Sequence, residues 1–421
     1  MRTLALLAGL CASLAAQEAL EFRVPFPDGN LGYYAVPAGD TAQPVPLLVV
    51  APPGLERSGA KAVLDEWRES AAGRRWALAV PYGKASGSGA ANDGTVRLLE
   101  ALVGDAKGRL NADPARVYLA AAEVTVPVAF YTASRVPGLF AAAAAFGGEP
   151  RAAIETNRLF GGNTALTPVL WVIPSGAAEP FLRKLRAAEF RVVAGPPERY
   201  TREAALDWLA QWRMDRYPLK LDLETGNLGF ARCFWVEITR FDPGQRNDVL
   251  PVGRVSPGSG AYLALGNFGY DAGAPGPGVV VSWLPADYRG PLRLNDRIMA
   301  VAGRPVQGPA DYAALMDQMG EERAVAVMVE RGSQRQRLET RVLLPKREET
   351  WTARLQAEWL PDAGEILVIT RGVGAFRLDL PAQWLPARIN WNGQDLGSAA
   401  TAGCWEAGGG TGIERCPVKA P

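Results

Sequence analysis

Histidine is absent from this chain of 421 residues. It is the usual general base of serine and cysteine hydrolases and the most common metal ligand in proteins. Its absence excludes a Ser-His-Asp triad, a Cys-His dyad and most catalytic zinc sites. The sequence therefore predicts no metal site and no cofactor.

The chain also lacks an excess of either charge, because its 45 Lys and Arg residues are balanced by 44 Asp and Glu residues. This balance offers no bulk attraction to nucleic acid or to an anionic membrane surface. No nucleic-acid partner is expected. The apolar fraction of 48% is large enough to bury substantial cores, and the length suits two or three domains.

The N-terminus has the pattern of an export signal. Arg2 precedes an apolar stretch from Leu4 to Leu14, and the small residue Ala15 follows. The stretch is too short to span a bilayer as a helix. We therefore expect a signal peptide over residues 1–16, no stable membrane span, and export to the periplasm or the extracellular medium.

Cysteine is scarce, with four residues in the chain. Cys404 and Cys416 enclose the glycine-rich segment "CWEAGGGTGIERC" and are predicted to form a disulfide in an oxidising compartment. The alternative is a disordered end without a crosslink. Cys233 lies in the strand-like "RCFWVEITRF" and is predicted to be a buried free thiol.

Strand-like and helical segments alternate from Tyr33 to about Tyr217. "PLLVVAPPG", "WALAVPYG" and "RVYLAAAE" are short apolar runs typical of buried parallel strands. "DGTVRLLEALVGDAKGRL" and "TREAALDWLAQWR" repeat apolar residues at helical spacing, with Asp93 and Thr201 as candidate N-caps. This alternation predicts a doubly wound parallel sheet.

Several of these segments resemble secreted α/β-hydrolases, specifically esterases similar to polyhydroxybutyrate depolymerases and prolyl-oligopeptidase-like enzymes. The matching segments are "VVAPPG", "DPARVYLAAAE", "ASRVPGLFAAAAAFGG", "WVIPSGAAEPF" and "TREAALDWLAQWRMDRYP". The resemblance covers about residues 30–217. It implies an α/β-hydrolase-like domain with a serine at the sharp turn after "RVYLAA", an acid after a later strand and a histidine before the last helix.

The residues at those three positions do not form a triad. Glu123 stands where the resemblance implies the serine, and Ala121 and Thr125 replace the flanking glycines of Gly-x-Ser-x-Gly. The β-branched Thr125 argues against a tight turn. Glu179 matches the acid position, and Glu198 stands where the histidine would be. No catalytic residue is therefore expected, and the chain is predicted to be a pseudoenzyme.

Two alternatives for these carboxylates stay open. Glu123 and Glu179 would form an acid–base pair in a residual or rewired esterase or peptidase, if burial raised the pKa of one of them. Otherwise Glu123 is solvated or paired with an arginine such as Arg199. The segment "APPG", from Ala51 to Gly54, keeps the form of an oxyanion-side loop.

The pattern becomes β-like after Tyr217 and is interrupted by an insert. The resemblance implies a β-sandwich-like domain after the hydrolase-like one, and "RCFWVEI" matches the motif of its early strand. We expect this domain over residues 218–252 and 347–398, with a glycine-rich tail over 399–421. The predicted fold class is thus α/β, with a doubly wound α/β-hydrolase-like domain followed by a β-sandwich-like domain that carries an insert.

The insert, residues 255–344, resembles a PDZ domain of the bacterial type. "LRLNDRI" replaces L-x-x-G-D-x-I, "VAGRPV" replaces V-N-G-x-x-V, "GPADYAALMDQM" matches the groove helix, and the closing hairpin turns at Gly332. Asn295 replaces a glycine, and asparagine tolerates the positive φ that this turn requires.

A PDZ domain implies capture of a peptide or protein C-terminus, with loop N–H groups holding the carboxylate. The candidate peptide-binding loop is the run Tyr262, Leu263, Ala264, Leu265 and Gly266, and a second candidate is residues 266–269. The opposite wall would comprise Tyr312, Leu315 and Met316. The alternative is that the leucines are core residues and the groove is closed. A purely structural envelope protein is the remaining hypothesis.

Overall fold

The computed structural model describes residues 18–26, 29–39, 42–54, 56–83, 91–150, 153–154, 159–174, 176–187, 189–245, 261–271, 273–319, 321–344, 352–408 and 412–417. The predicted signal peptide lies outside these ranges. Contacts divide the chain into unit 1, Met1–Pro251 with Trp351–Pro421, and unit 2, Val252–Thr350.

The first part of unit 1 contains one eight-stranded sheet. Its strands are β1 (Leu20–Phe26), β2 (Gly29–Val36), β3 (Val45–Ala51), β4 (Ala77–Gly83), β5 (Ala112–Ala122), β6 (Ala142–Phe146), β7 (Val169–Val172) and β8 (Val192–Gly195). They lie in the order β1-β2-β4-β3-β5-β6-β7-β8. The strands β3 to β8 are parallel, as predicted, whereas β1 and β2 are antiparallel to their neighbours. The sheet is therefore mixed, because its first two strands form a hairpin without a crossover helix.

Helices cover both faces of this sheet. They are α1 (Arg57–Gly73), α2 (Asp93–Arg109), α3 (Val126–Arg135), α4 (Gly161–Thr164), α5 (Glu179–Ala187) and α6 (Arg202–Ala210). Leu47 and Val49 of β3 are buried in one apolar cluster with residues of α2 and α3. Leu48 and Val50 lie in a second cluster with residues of α1 and α6. Alternate residues thus face opposite layers, which confirms the predicted doubly wound arrangement.

The predicted helix caps are partly correct. Thr201 caps α6, where its hydroxyl accepts the N–H of Ala204 at 3.3 Å. For α2 the cap is Asn92, whose side chain accepts the N–H of Thr95 at 3.0 Å, and Asp93 is the first helical residue. Both types of residue stabilise a helix start, so sequence alone left the position uncertain by one residue.

Three further strands follow before unit 2: β9 (Lys220–Thr225), β10 (Arg232–Cys233) and β11 (Val236–Phe241). Cys233 at the end of β10 is buried and has no disulfide partner in the described structure, as predicted. Burial, with a smaller contribution from Asp222, raises the pKa of its thiol, so the reactive thiolate is disfavoured.

Unit 2 contains one sheet and one helix in the range described. The strands are β12 (Tyr262–Leu263), β13 (Gly269–Asp271), β14 (Val279–Trp283), β15 (Arg297–Val301), β16 (Arg304–Pro305), β17 (Arg323–Arg331) and β18 (Gln334–Leu343), and the helix is α7 (Pro309–Asp317). The order is β12-β18-β17-β15-β14-β13, with β16 beside β15. The short strands β12 and β13 are therefore the two edges of the sheet.

The chain then returns to unit 1. Its last strands are β19 (Ala353–Leu360), β20 (Glu365–Arg371), β21 (Val373–Leu380), β22 (Ala387–Trp391), β23 (Gln394–Ala399), β24 (Gly403–Gly408) and β25 (Ile413–Arg415). One sheet has the order β23-β22-β20-β19-β9, and the other has the order β10-β11-β21-β24-β25. Side chains of both sheets bury one common apolar cluster. The β-rich C-terminal part is thus confirmed.

The two sides of the insert pair with each other within these sheets. Leu223 of β9 lies opposite Leu355 of β19, and Ile238 of β11 lies opposite Phe376 of β21. Chain segments more than a hundred residues apart therefore complete the same core, which neither segment would bury alone.

The segment predicted as a glycine-rich tail differs from the expectation. Residues 403–408 form β24, which pairs with β21, and residues 413–415 form β25. Cys404 and Cys416 are joined by a disulfide, with their Cα atoms 5.4 Å apart. The tail signal was misleading because the glycine-rich composition of this segment does not prevent residues 403–408 and 413–415 from pairing as strands.

No helix within the described ranges combines the length and the apolar character that a membrane crossing requires.

Candidate functional site

The turn between β5 and α3, residues 121–125, is the candidate site and is called the elbow below. Strand β5 ends at Ala122, and Glu123 follows with a φ of +49°. A positive φ is costly for a residue with a side chain, so it marks a tight, strained turn. A catalytic serine in an α/β-hydrolase sits on the same kind of strand-to-helix turn. The elbow geometry is thus retained around a glutamate.

Thr125 does not prevent the tight turn, contrary to the expectation from its β-branched side chain. It is 1% exposed, and its hydroxyl oxygen accepts the backbone N–H of Ala122 at 2.9 Å. The same hydroxyl lies 2.8 Å from the carbonyl oxygen of Ala122, to which it donates. The side chain therefore completes the turn with hydrogen bonds that a glycine would not provide.

Two glycines at the end of β6 make room for Glu123. A Cβ atom on Gly147 would collide with the carboxylate of Glu123, and one on Gly148 would collide with its carbonyl oxygen. Both glycines also have positive φ, +63° and +48°. This pair was not identified from the sequence, although a Gly-Gly after a buried strand is a signal of close backbone approach.

The oxyanion side of the elbow is poorly suited to stabilise negative charge. Pro52 and Pro53 follow β3 and have no backbone N–H to donate. The carboxylate of Glu56 occupies the space into which a side chain on Gly54 would point. A cavity that borders Ala51 and Pro52 measures about 10 Å³, which is room for about one water molecule. These features oppose the charge that develops during acyl transfer.

The other two carboxylates of the predicted site do not complete a catalytic set. In the sheet register, Ala122 pairs with Phe146, Phe146 with Val172, and Val172 with Gly195. The loops that carry Glu123, Glu179 and Glu198 therefore leave the same edge of the sheet, at strand spacings of about 5 Å. All three carboxylates are exposed, and none makes a hydrogen bond or ion pair within the described residues.

Arg199, the arginine considered as an ion-pair partner of Glu123, makes its contact elsewhere. The guanidinium of Arg199 lies over the ring of Tyr200, 5.1 Å from its centroid, and forms no ion pair with Glu123. Across the described part of the chain, no group of three or more Cys, Asp or Glu side chains is placed to hold a metal ion.

In unit 2, backbone groups of the first candidate loop already form hydrogen bonds within unit 2 itself. Tyr262 and Leu263 form β12 and pair with β18. The N–H of Ala264 donates to Arg341 at 2.8 Å, and the N–H of Leu265 donates to Leu263 at 2.7 Å. These donors are not free to hold a carboxylate, so the loop 262–266 does not suit the predicted role.

Most side chains predicted to line the groove belong to the core of unit 2. Leu263, Leu265, Tyr312, Leu315 and Met316 are each at most 7% exposed and lie in one apolar cluster. They are buried because the apolar face of α7 packs against the sheet, where the leucines at and just after β12 join the same core. The alternative interpretation of these leucines as core residues is therefore the correct one.

The second candidate loop, residues 266–269, has the properties that the first lacks. The N–H groups of Asn267 and Phe268 donate to no oxygen among the residues the structure describes. Gly266 has a φ of +81°, and the hydroxyl of Tyr288 donates to the carbonyl of Leu265. A Cβ on Gly266 would lie 2.8 Å from the Tyr288 ring. The loop is thus held in one conformation with donors available.

The loop leads directly into the edge strand β13, which faces helix α7. The rings of Tyr270 on β13 and Tyr312 on α7 meet edge to face, with centroids 5.6 Å apart. On its other side β13 pairs with β14, where Trp283 is 55% exposed. Strand β13 and helix α7 therefore meet through this aromatic pair, and the exposed Trp283 lies on the neighbouring strand.

The predicted turn around Asn295 is confirmed. Asn295 has a φ of +67°, as the missing glycine requires. The next residue, Asp296, is buried and receives two hydrogen bonds from Arg331, at 2.8 and 2.7 Å. Burial alone would raise the pKa of Asp296, but the hydrogen bonds from Arg331 and from the N–H of Arg293 outweigh it and lower the pKa.

Comparisons with known proteins give structural similarity only. No family model and no curated protein matches the chain. A thermostable esterase has 14% identity and a TM-score of 0.35, over 46% of this chain and 63% of that chain, less than two thirds of its length. A dienelactone hydrolase, described as putative, from Klebsiella pneumoniae has 15% identity and a TM-score of 0.34, over 46% and 97%.

A third similar structure is Thermogutta terrifontis esterase 2 phosphonylated by cyclosarin, with 15% identity and a TM-score of 0.33, over 47% of this chain and 92% of that chain. Similarity at this level does not transfer an activity. The α/β-hydrolase-like description of the first domain rests on the sheet order and on the elbow itself.

Proposed function

We propose that this chain is an exported, non-catalytic protein with an α/β-hydrolase-like domain, in which unit 2 is PDZ-like and binds the free C-terminal end of a peptide or protein. The observation that carries this proposal is the edge of β13, which is unpaired among the described strands. It is entered from a loop whose N–H groups have no acceptor within the described residues, and it is faced by α7. An extended chain end would pair with β13 as an added strand. Its terminal carboxylate would accept hydrogen bonds from the backbone N–H groups of the loop 266–269.

Three observations support the absence of acyl-transfer chemistry. Glu123 occupies the elbow where a nucleophilic hydroxyl would be needed, and the chain contains no histidine to activate one. A carboxylate at the nucleophile position also repels a developing oxyanion. Pro52 and Pro53 remove two N–H donors from the loop opposite.

Export is supported by the N-terminal sequence and by the crosslink between Cys404 and Cys416. Structural disulfides persist in oxidising compartments and are rare in the reducing cytosol. Cleavage after about residue 16 would be read directly from the N-terminal sequence of the mature protein.

The binding proposal is tested by titrating the full chain against a library of fluorescent peptides that differ in their last residues. At least one peptide is expected to bind saturably. Gly266→Ala should weaken that binding by about tenfold or more, because the new Cβ strains the loop and meets Tyr288.

Gly303→Ala is the matched control for this substitution. Gly303 also has a positive φ, +78°, but a Cβ there would meet no atom within 4 Å. The Gly303→Ala variant therefore carries similar backbone strain outside the loop 266–269. The affinity of this variant for the peptide should stay within about twofold of that of the parent protein. Binding of no peptide, or equal losses in both variants, would refute capture of the chain end by this loop.

Carboxylate catalysis is the second candidate, favoured by the strained φ of Glu123 alone. The same protein sample should be assayed with ester, glycoside and peptide substrates. We expect no turnover above that of a heat-treated sample. Turnover that Glu123→Gln abolishes would establish the rewired enzyme instead.

A further inference from the structure

A pocket of about 500 Å³ opens at one end of the β-sandwich of unit 1. It lies where β11 ends, β21 begins and the turn between β22 and β23 approaches them. Gly372, with a φ of +68°, carries the chain from β20 in one sheet to β21 in the other. The pocket is therefore formed where the two sheets separate, and its size is typical of a small-molecule site.

Unpaired charges of both signs line this pocket. Arg240 donates from one nitrogen to the carbonyl oxygen of Gly374 at 2.7 Å, and forms no ion pair within the described residues. Asp242 accepts the N–H of Gly244 at 2.9 Å and also forms no ion pair there. The lining thus presents guanidinium donors and a carboxylate oxygen that a ligand can use.

Amide groups add further donors and acceptors. Gln245 and Gln394 are both exposed and border the pocket. Neither side chain makes a hydrogen bond to another residue in the described part of the chain. Each amide can donate and accept at the same time, which suits a ligand rich in hydroxyl groups.

One wall of the pocket is a fixed aromatic ring. The indole N–H of Trp391 donates to the hydroxyl of Thr370 at 2.8 Å, and the ring meets Phe376 edge to face with centroids 5.0 Å apart. The neighbouring Asn392 accepts the N–H of Thr370 at 2.8 Å. Thr370 itself is buried, so it anchors both residues of the wall before any ligand binds.

We propose that this pocket binds a neutral saccharide, as a free disaccharide or as the end of a glycan chain. The single positive and single negative charge of the lining cancel, so a ligand with net charge gains little. Hydroxyl groups can pair with Arg240, Asp242 and the amides together. The electron-rich face of Trp391 attracts the C–H groups of a sugar ring. An apolar ligand would instead displace water from the remaining guanidinium donors of Arg240 and the second carboxylate oxygen of Asp242 without offering them a hydrogen bond.

The test is calorimetric titration of the full chain with maltose, cellobiose, a soluble linear glucan, and the zwitterion leucine. At least one neutral saccharide should bind saturably. Gln394→Ala and Arg240→Met, both at exposed positions, should each weaken binding by about fivefold. Trp391→Ala should abolish it, but this residue also packs in the sandwich, so the two exposed variants decide the question.

Gln383→Ala is the control, because Gln383 is exposed on the same sandwich and does not line the pocket. Its affinity should equal that of the parent. At equal concentration of chain ends, preference for the glucan would assign the ligand to glycan chains, and preference for a disaccharide would assign it to free disaccharides. Equal affinity would show that the pocket binds the terminal sugars of both. The proposal would be overturned if leucine alone bound or if no saccharide bound. It would also be overturned if Gln394→Ala and Arg240→Met left saccharide affinity unchanged.

Discussion

The hydroxyl of Thr125 closes the elbow on the backbone of Ala122, accepting its N–H at 2.9 Å. The turn that α/β-hydrolases build with a glycine at this position is built here with a buried hydroxyl. The fold therefore preserves the strained frame of a catalytic turn while presenting a glutamate in place of the nucleophile.

Replacing Thr125 by valine should destabilise the protein by about 1–3 kcal/mol, because the N–H of Ala122 would be buried without a partner. Thr125→Ser keeps the hydroxyl and should cost less than about 1 kcal/mol. Urea unfolding followed by fluorescence measures both. Equal stability of the valine variant and the parent would show that the hydrogen bond is not needed.

Glu100 on α2 gives a prediction about pH. Burial raises the pKa of this carboxyl to about 7, and nearby Arg97 opposes the shift. Between pH 4.5 and 7 the folded protein therefore holds a proton that the unfolded chain releases, so this group makes stability fall as pH rises through that window.

Glu100→Gln removes this dependence. The variant should be more stable than the parent by about 1–2 kcal/mol at pH 8, allowing for partial exposure, and equal to it at pH 4. Thermal melts at the two pH values measure the difference. A variant that is destabilised to the same extent at both values would contradict the shifted pKa.

The pair of Asp296 and Arg331 should be essential to unit 2. Arg331→Met leaves a buried carboxylate without its two side-chain hydrogen bonds and should cost about 3 kcal/mol near neutral pH. Because the pKa of Asp296 is lowered in the folded state, the pair stabilises above the usual range of Asp and is lost as pH falls through the lowered value.

Hydrogen exchange of the full chain checks this prediction, with faster exchange expected in β14, β15 and β17. Arg335→Met is the control, because Arg335 forms an exposed pair with Glu330 at 3.8 Å that should contribute less than about 1 kcal/mol. Similar exchange in the two variants at pH 7 would contradict a structural role for Asp296.

Reduction of the Cys404–Cys416 disulfide should loosen the end of the chain. The bond spans 12 residues, and closing a loop of this length stabilises by about 3 kcal/mol in the chain-entropy account. Cys416→Ser should lower the melting temperature as much as a reducing agent does. An unchanged melting temperature after verified loss of the bond would show that β25 is held by pairing alone.

The sequence was sufficient for the parts of the fold that depend on local pattern. Apolar runs such as "PLLVV" predicted the parallel strands, and Asn295 was correctly expected to adopt a positive φ. The antiparallel hairpin of β1 and β2 and the strands at 403–415 were missed. Their pairing depends on distant segments, which single-sequence periodicity does not contain.

The candidate site was harder to predict for the same reason. The absence of a Ser-His-Asp triad followed from composition, since the sequence contains no histidine. The role of Gly147 and Gly148 beneath Glu123, and the occupied donors of Ala264 and Leu265, depend on neighbours across the sheet. Sequence spacing identified both candidate loops of unit 2, but only hydrogen bonding separated them.

The most direct test of the account compares one peptide that binds in the library titration with its C-terminally amidated form. Loss of the carboxylate removes charge-assisted hydrogen bonds to the loop 266–269, so the amide should bind about tenfold to a hundredfold more weakly. The free-acid peptide should be recovered intact after incubation with the protein. Equal affinity of the two forms, or cleavage of the peptide, would contradict a non-catalytic protein that binds free chain ends.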